Sequence, residues 1–229
     1  HLKMAAPMDL DLDALSAPGE HLIACGEQVM ELLVNPATTP AARGIAVVTH
    51  PHPVLGGSAK HKVPHALATA LADQGWWVLR PNFRGVGRSS GSHDHGRGEL
   101  SDLRALHEAI RRSRPQARQV WVGFSFGAYV LSHLAAQLAP KADAPSTVVL
   151  IGLPCGQVPA GRHYDTPPPT PGVRLIQGER DEAAPLNALL DWARPSGTPV
   201  TVVPGADHLF TGRLPLLRSL VLESIANAT

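Results

Sequence analysis

The chain has 229 residues, about the length of one α/β domain, and can bury a core large enough to fold without metal ions or disulfides. A formal charge of +1 gives it no general attraction to nucleic acid or to an anionic membrane. The two cysteines, Cys25 and Cys155, lack CxxC spacing, so we interpret them as reduced thiols of a cytoplasmic protein. No stretch approaches the ~18 apolar residues that a membrane span requires.

The opening residues 1–18 are acidic and interrupted by prolines. We expect them to form a flexible segment, in which the residues before Met4 are a cloning remnant. A single domain is expected over residues 19–229, and it starts with two β-type runs that flank Gly26 and Glu27 and predict an antiparallel hairpin. Apolar runs predict the later strands, which lie at 44–49, 76–80, 119–124, 147–151, 173–177 and 200–203.

Amphipathic stretches separate several of these runs and predict helices. The last stretch places five apolar side chains on one helical face: Phe210, Leu214, Leu217, Val221 and Ile225. Strands that are apolar on both faces and separated by helices predict an α/β fold, with a mostly parallel central sheet, helices on both faces and the hairpin as an antiparallel edge. Ligands bind such sheets beyond the carboxyl ends of the strands, so a site should lie just after strands.

The segment 123–127 reads G-F-S-F-G, between an apolar run and a helical pattern. In a G-x-S-x-G turn the serine stands on a sharp strand-to-helix bend, and the glycines keep that bend free of side-chain clashes. The following helix N-terminus directs backbone N–H groups toward a developing oxyanion. We therefore interpret Ser125 as a nucleophile, although a Gly/Ser helix cap without chemistry is the alternative.

A serine hydroxyl needs a base, and after this turn the partners follow in the order Asp or Glu, then His. Asp181 and His208 each lie just past a predicted strand, as the rule for carboxyl ends requires. Three other carboxylates compete for the role of the acid: Glu179 and Glu182 flank Asp181, and Asp207 adjoins His208. The prediction is that Ser125 attacks an acyl carbon, His208 carries the proton and Asp181 fixes the imidazole tautomer.

The loop after the strand at 44–49 reads HPHPVLGG and should supply a second N–H donor for an oxyanion. Its prolines cannot donate, which leaves the amides of His52, Val54 or Leu55. We favour His52, with Phe126 as the other donor. Twelve histidines, two pairs of them in H-x-H spacing, raise the question of zinc, but no H-E-x-x-H motif or cysteine pair supports it, so no metal or cofactor is expected.

Five motifs taken together resemble the α/β-hydrolase superfamily, and within it small, lidless bacterial serine esterases distantly related to dienelactone hydrolase. They are HPHPVLGG, NFRGVGRSSG, GFSFGA, GERD and GADHLF. The resemblance covers residues 29–225 and implies the same roles for Ser125, Asp181 and His208, with loop-bracing roles for Arg84 and Asp94. Dienelactone hydrolases use a cysteine nucleophile where this chain has serine. Only residues 152–172 are available for a cap, so we expect an α/β-hydrolase fold without a substantial one.

The functional hypothesis is a serine carboxylic ester hydrolase that acts on small or short-chain acyl esters through an acyl-enzyme. The same triad would also suit a thioesterase, a lactonase or a peptidase. Outside hydrolysis, a cofactor-free perhydrolase and a non-catalytic binding protein with the hydrolase fold remain alternatives. The expected partner is a small-molecule ester rather than nucleic acid or a membrane, and the sequence does not decide between a monomer and a homodimer.

Overall fold

The computed structural model describes residues 6–39 and 43–227, arranged around an eight-stranded sheet. Its strands are β1 (Gly19–Cys25), β2 (Gln28–Asn35), β3 (Gly44–Thr49), β4 (Trp76–Pro81), β5 (Gln119–Phe124), β6 (Thr147–Ile151), β9 (Arg174–Gly178) and β10 (Val200–Val203). A separate small hairpin pairs β7 (Gly156–Gln157) with β8 (His163–Tyr164).

The order across the large sheet is β1-β2-β4-β3-β5-β6-β9-β10. β2 runs antiparallel to both β1 and β4, and every other neighbouring pair is parallel. β5 lies in the middle of the parallel part and all of its residues are buried, which accounts for its unbroken apolar run. The predicted sheet, parallel with an antiparallel edge, is confirmed.

In the part of the chain that the structure describes, five α-helices pack on this sheet: α1 (Lys62–Asp73), α2 (Arg97–Ser113), α3 (Phe126–Leu138), α4 (Leu186–Ala193) and α5 (Leu214–Ala226). The apolar sides of α1 and α5 enter one buried cluster, and those of α2, α3 and α4 enter a second. The two clusters lie on opposite faces of the sheet, because successive residues of a strand point to opposite sides. Helices therefore cover both faces, as predicted.

Two features near the carboxyl half differ from the sequence prediction. Phe210 is fully buried but precedes α5, which begins at Leu214, and its φ of 51° is not helical. Its apolar side chain fits the helical spacing only because it enters the same core from the preceding loop. Helix α4 was not predicted, since Pro185 and Pro195 bracket a segment too short for a clear periodic signal.

The segment before β1 packs on the sheet over the part that the structure describes. Met8 forms a β-bridge with Cys25, and Leu12 and Leu15 are buried in the core. The cloning remnant assigned to residues 1–3 lies outside the described residues. Within residues 6–39 and 43–227, no helix has the length and apolar character needed to cross a membrane.

Residues 152–173 contain the β7–β8 hairpin and irregular chain between β6 and β9. No helix of cap size occurs in this segment, all of which the structure describes. The carboxyl ends of the parallel strands are therefore left without a substantial cap, in agreement with the sequence prediction. The hairpin instead contributes a wall to a cavity at that end of the sheet.

Candidate active site

Ser125 is the single residue between β5 and α3. Its backbone has φ 58° and ψ −120°, a conformation that residues with a side chain rarely adopt. Such a conformation costs about 1–3 kcal/mol and persists only where the surrounding structure fixes it. Here the Ser125 amide donates to the carbonyl oxygen of Ile151 at 2.8 Å. The turn thus holds the hydroxyl at the carboxyl end of a central strand.

Close packing explains the two glycines of the G-x-S-x-G turn. A Cβ atom on Gly127 would lie 2.6 Å from the carbonyl oxygen of His50, and one on Gly123 would lie 2.7 Å from Cα of Ala128. These distances are far inside van der Waals contact, and both meet backbone atoms. Neither glycine has a positive φ, so lack of space rather than backbone conformation requires glycine there.

Three side chains that are distant in sequence form a continuous hydrogen-bonded chain. Ser125 Oγ lies 2.8 Å from His208 Nε2, and His208 Nδ1 lies 2.7 Å from Asp181 Oδ2. A carboxylate only accepts, so Nδ1 carries the proton, and Nε2 is left to accept from the hydroxyl. The Asp181 side chain is fully buried, whereas the imidazole is 18% exposed and can meet a substrate. The structure therefore brings together all three predicted residues.

Local hydrogen bonds fix the orientation of the Asp181 carboxylate. Its Oδ1 accepts from the amides of Ala183 and Ala184, at 3.0 and 2.7 Å. Gln177 Nε2, at the end of β9, lies 3.4 Å from Oδ2. Because the two amides hold Oδ1, Oδ2 is directed at the imidazole of His208. Donors of this kind stabilise the charged form of a carboxylate in a buried position.

The competing carboxylates are engaged elsewhere or exposed. Glu179 Oε2 accepts from the amide of Gly205 at 2.6 Å, and Asp207 Oδ1 accepts from the amide of Thr211 at 2.8 Å. Both contacts stabilise the turn that carries the histidine. Glu182 is exposed to solvent. The geometry therefore places Asp181, and none of these three carboxylates, against the imidazole of His208.

Two further glycines let the acid and base loops approach each other. A Cβ atom on Gly178 would lie 2.5 Å from the carbonyl oxygen of Ala206, so the loops after β9 and β10 pack backbone to backbone. Gly152, with φ 60°, lies under the imidazole of His208, where a Cβ would be 3.1 Å from Cε1. The same ring stacks on Phe124, with centroids 5.2 Å apart. These contacts hold the ring in place.

The loop after β3 leaves one of its candidate amides available for an oxyanion. The amide of Val54 lies 3.2 Å from His52 Nδ1, and that of Leu55 donates to the carbonyl oxygen of His52 at 3.1 Å. Among the residues that the structure describes, no group accepts a hydrogen bond from the His52 amide. Phe126 is the first residue of α3, so its amide lacks an intrahelical acceptor. The pair predicted from the sequence, His52 and Phe126, remains the consistent choice.

His50 fixes the start of this loop, a role that the sequence did not indicate. Its ring is fully buried, with Nδ1 2.7 Å from the carbonyl oxygen of Pro51 and Nε2 3.0 Å from the amide of Phe83. The first contact needs a donor and the second an acceptor, so the neutral imidazole with its proton on Nδ1 satisfies both. Burial lowers the pKa of His50 to about 4.

Because the His50 imidazole is buried in its neutral form, we expect the protein to lose stability in mild acid. An unfolded histidine titrates near 6.5, so the His50 contribution is present above about pH 6.5 and is lost as the pH falls toward 4. Between pH 7 and pH 5 the loss is about 2 kcal/mol. The free energy of unfolding, measured with urea at both pH values, should therefore fall by about 2 kcal/mol more for wild type than for His50→Phe. Equal changes in the two proteins would contradict the role of His50.

The family resemblance assigned loop-bracing roles to Arg84 and Asp94. Each residue makes its own contact with helix α2. The guanidinium of Arg84 pairs with both carboxylate oxygens of Asp102 on α2, each at 2.8 Å. Asp94 Oδ2 accepts from the amide of Gly98 at 2.9 Å, in the first turn of the same helix. Both residues thus fix the loop between β4 and α2.

The H-x-H pairs pack with aromatic rings. The ring centroids of His52 and His93 are 5.0 Å apart, those of His93 and His95 are 4.8 Å apart, and both His52 and His93 contact the Phe126 ring. Over residues 6–39 and 43–227, no three His, Cys, Asp or Glu side chains are grouped so that they could hold a metal ion. These rings instead line a cavity of about 340 Å³ next to the nucleophile turn.

Comparison with known proteins agrees with this architecture. A family model for the α/β-hydrolase fold matches residues 54–160. An uncharacterized protein from Rickettsia prowazekii is 33% identical over 186 residues, which make up 76% of this chain and 74% of that protein. A crystal structure from Xanthomonas campestris, an α/β serine hydrolase without a lid, is 33% identical with a TM-score of 0.75, over 92% of this chain and 95% of its own. The chain belongs to the α/β-hydrolase family.

A more distant relative has a different named activity. Epoxide hydrolase A of Mycobacterium tuberculosis is 28% identical over 215 residues, which make up 88% of this chain but only 64% of that enzyme. Together with the serine hydrolase neighbours, this relative supports hydrolysis as the general activity. The bond that is cleaved has to be inferred from the chemistry of the site.

Proposed function

We propose that this chain is a serine hydrolase that cleaves carboxylic esters through an acyl-enzyme, with Ser125 as nucleophile, His208 as general base and Asp181 as the residue that orients the imidazole. The observation that carries the proposal is the unbroken contact from Asp181 Oδ2 through both nitrogens of His208 to Ser125 Oγ. A hydroxyl is a weak nucleophile until a neighbouring base removes its proton, and this contact supplies that base.

The reaction follows from the positions of these atoms. Ser125 Oγ attacks the carbonyl carbon while His208 Nε2 takes its proton, and the amides of His52 and Phe126 stabilise the resulting oxyanion. His208 then gives the proton to the departing alkoxide, which leaves the acyl group on Ser125. A water molecule, deprotonated by the same imidazole, attacks the acyl carbon. The bond between that carbon and Ser125 Oγ then breaks, His208 returns the proton to Oγ, and the carboxylic acid is released.

Epoxide hydrolysis is the second candidate, because a distant relative carries that name. Attack of Ser125 Oγ on an epoxide carbon would form an ether, which has no carbonyl for water to attack. Such an adduct would persist and block turnover. An acyl carbon, in contrast, gives an ester that the same base can hydrolyse. The serine at this position therefore favours acyl transfer.

A substrate panel tests the proposal. We expect purified protein to hydrolyse 4-nitrophenyl acetate and butyrate, with a rapid initial release of nitrophenolate wherever deacylation is slower than acylation. Thioester, lactone, anilide and epoxide substrates of similar size should have a lower kcat/KM. A higher kcat/KM for any of these other bonds would reassign the reaction, and turnover of an epoxide without any ester hydrolysis would reject the acyl-enzyme.

A further inference from the structure

The cavity next to the nucleophile turn has an unusual lining. Four imidazoles and one guanidinium reach it, from His52, His93, His95, His163 and Arg162, and no Asp or Glu is among its lining residues. Tyr129 and Tyr164 supply phenol rings to the same walls. Four separate parts of the chain contribute these groups: the loop after β3, the loop before α2, helix α3 and the β7–β8 hairpin.

Arg162 supplies positive charge to this cavity. Among the residues that the structure describes, no carboxylate lies within 4 Å of its guanidinium. Two acids contact lining residues without lining the cavity themselves. Asp165 is hydrogen-bonded to the hydroxyl of Tyr129. Glu99 accepts from the amides of Asp94 and Gly96, and its Oε1 lies 3.7 Å from His93 Nδ1.

The imidazole of His52 adds a donor beside this charge. Burial, followed by the charge of Arg162, lowers the pKa of His52 to about 4, so the ring is neutral at pH 7. Its Nδ1 accepts from the amide of Val54, so its proton lies on Nε2. The lining therefore combines a cation with a neutral N–H donor, which together suit an anionic oxygen ligand.

The position of the cavity indicates which half of a substrate enters it. Phe126 and His52, whose amides would hold the oxyanion, border the cavity, whereas His208 does not. The imidazole lies instead near Phe124, Gly152 and His61. The leaving group must depart beside His208 Nε2 to receive its proton. The acyl chain is consequently the part that extends into the cavity.

We propose that Arg162 and the imidazoles of this cavity bind a carboxylate at the far end of the acyl chain, so that the preferred substrates are monoesters of short dicarboxylic acids. The inference rests on the proposed ester hydrolysis. Hydrolysis of such a monoester consumes one water, breaks the acyl C–O bond and gives an alcohol and a dicarboxylic acid. A volume near 340 Å³, at the small end of ligand cavities, suits a short chain.

A matched pair of esters tests the charge preference. Monoethyl glutarate carries a distal carboxylate, and ethyl 4-carbamoylbutanoate replaces it with a neutral amide of nearly the same shape. With acid release followed in a pH-stat, wild type should show a kcat/KM about tenfold higher for the charged ester, as one charge-assisted contact implies. A ratio of one or less in wild type would overturn the proposal.

Variants of Arg162 test whether its guanidinium causes the preference for the charged ester. Arg162→Gln should bring the ratio close to one by lowering kcat/KM for the charged ester, while the amide ester changes less than about twofold. Arg162→Lys should retain part of the preference because it keeps the charge. Arg174→Gln is the matched control, since this exposed arginine starts β9 at the opposite end of the sheet. An unchanged ratio in Arg162→Gln would overturn the proposal.

Binding of glutarate separates a failure of this inference from a failure of the proposed function. If the amide ester is hydrolysed without a charge preference, the cavity assignment fails and ester hydrolysis stands. If neither ester reacts, the proposed function fails, and calorimetry with glutarate then decides the cavity assignment by itself. We expect glutarate to bind wild type about tenfold more tightly than Arg162→Gln. Equal affinity, or no binding to either protein, would overturn the assignment.

Discussion

Substitution of Ser125 by alanine is expected to lower kcat for 4-nitrophenyl butyrate by about a millionfold, as for the nucleophile of a comparable triad. The Oγ atom that accepts the acyl group is lost, and His208 Nε2 then faces only solvent water. Alanine keeps the Cβ atom, so the strained φ of 58° is no less tolerable than with serine. The melting temperature should therefore stay within a few degrees of wild type.

Ser219→Ala is the control for this variant, because Ser219 is an exposed serine on α5. It should have the kcat of wild type. If Ser125→Ala kept even one per cent of the wild-type kcat, while folded and free of wild-type contamination, another group would have to carry the acyl transfer.

The second large effect is expected for Asp181→Asn, which should lower kcat by about ten-thousandfold. Oδ1 of the side chain is held by the amides of Ala183 and Ala184, so the oxygen of an asparagine would occupy that position. Its NH₂ group would then face His208 Nδ1 as a donor. The imidazole would have to present Nδ1 as an acceptor and carry its proton on Nε2, the wrong tautomer to deprotonate Ser125.

Asp207→Asn is the matched control for this tautomer effect. Asp207 is adjacent to His208 in sequence, but its Oδ1 accepts from the amide of Thr211, a contact that an asparagine oxygen can retain. Activity should stay within a few-fold of wild type. A comparable loss of kcat in both variants would mean that nearby negative charge in general, rather than the oriented hydrogen bond of Asp181, supports the imidazole.

Much of the fold could be predicted because its physical causes are local. The run at β5 is apolar throughout because both faces of a central parallel strand are buried. Ser125, Asp181 and His208 follow β5, β9 and β10, and parallel strands bring their carboxyl ends to one edge of a sheet. Strand order along the chain therefore places three distant side chains together before any distance is known.

The parts that the sequence did not reveal depend on contacts between distant segments. Phe210 fits the helical spacing of α5 but enters the core from a loop, a choice made by packing rather than by periodicity. The β7–β8 hairpin has two residues in each strand, too few to give a pattern, yet it delivers Arg162 to the cavity. Likewise, the role of His50 depends on Phe83, which lies beyond α1 and β4.

The most direct test of the account is covalent labelling of the native protein with a fluorophosphonate probe, followed by mass spectrometry of the proteolytic peptides. We expect one label per chain, carried by Ser125, since its hydroxyl contacts the imidazole that activates it. Labelling should disappear in Ser125→Ala and fall steeply in Asp181→Asn. A native protein that takes up no label, or one labelled equally well on another residue, would contradict the assignment of Ser125 as the nucleophile.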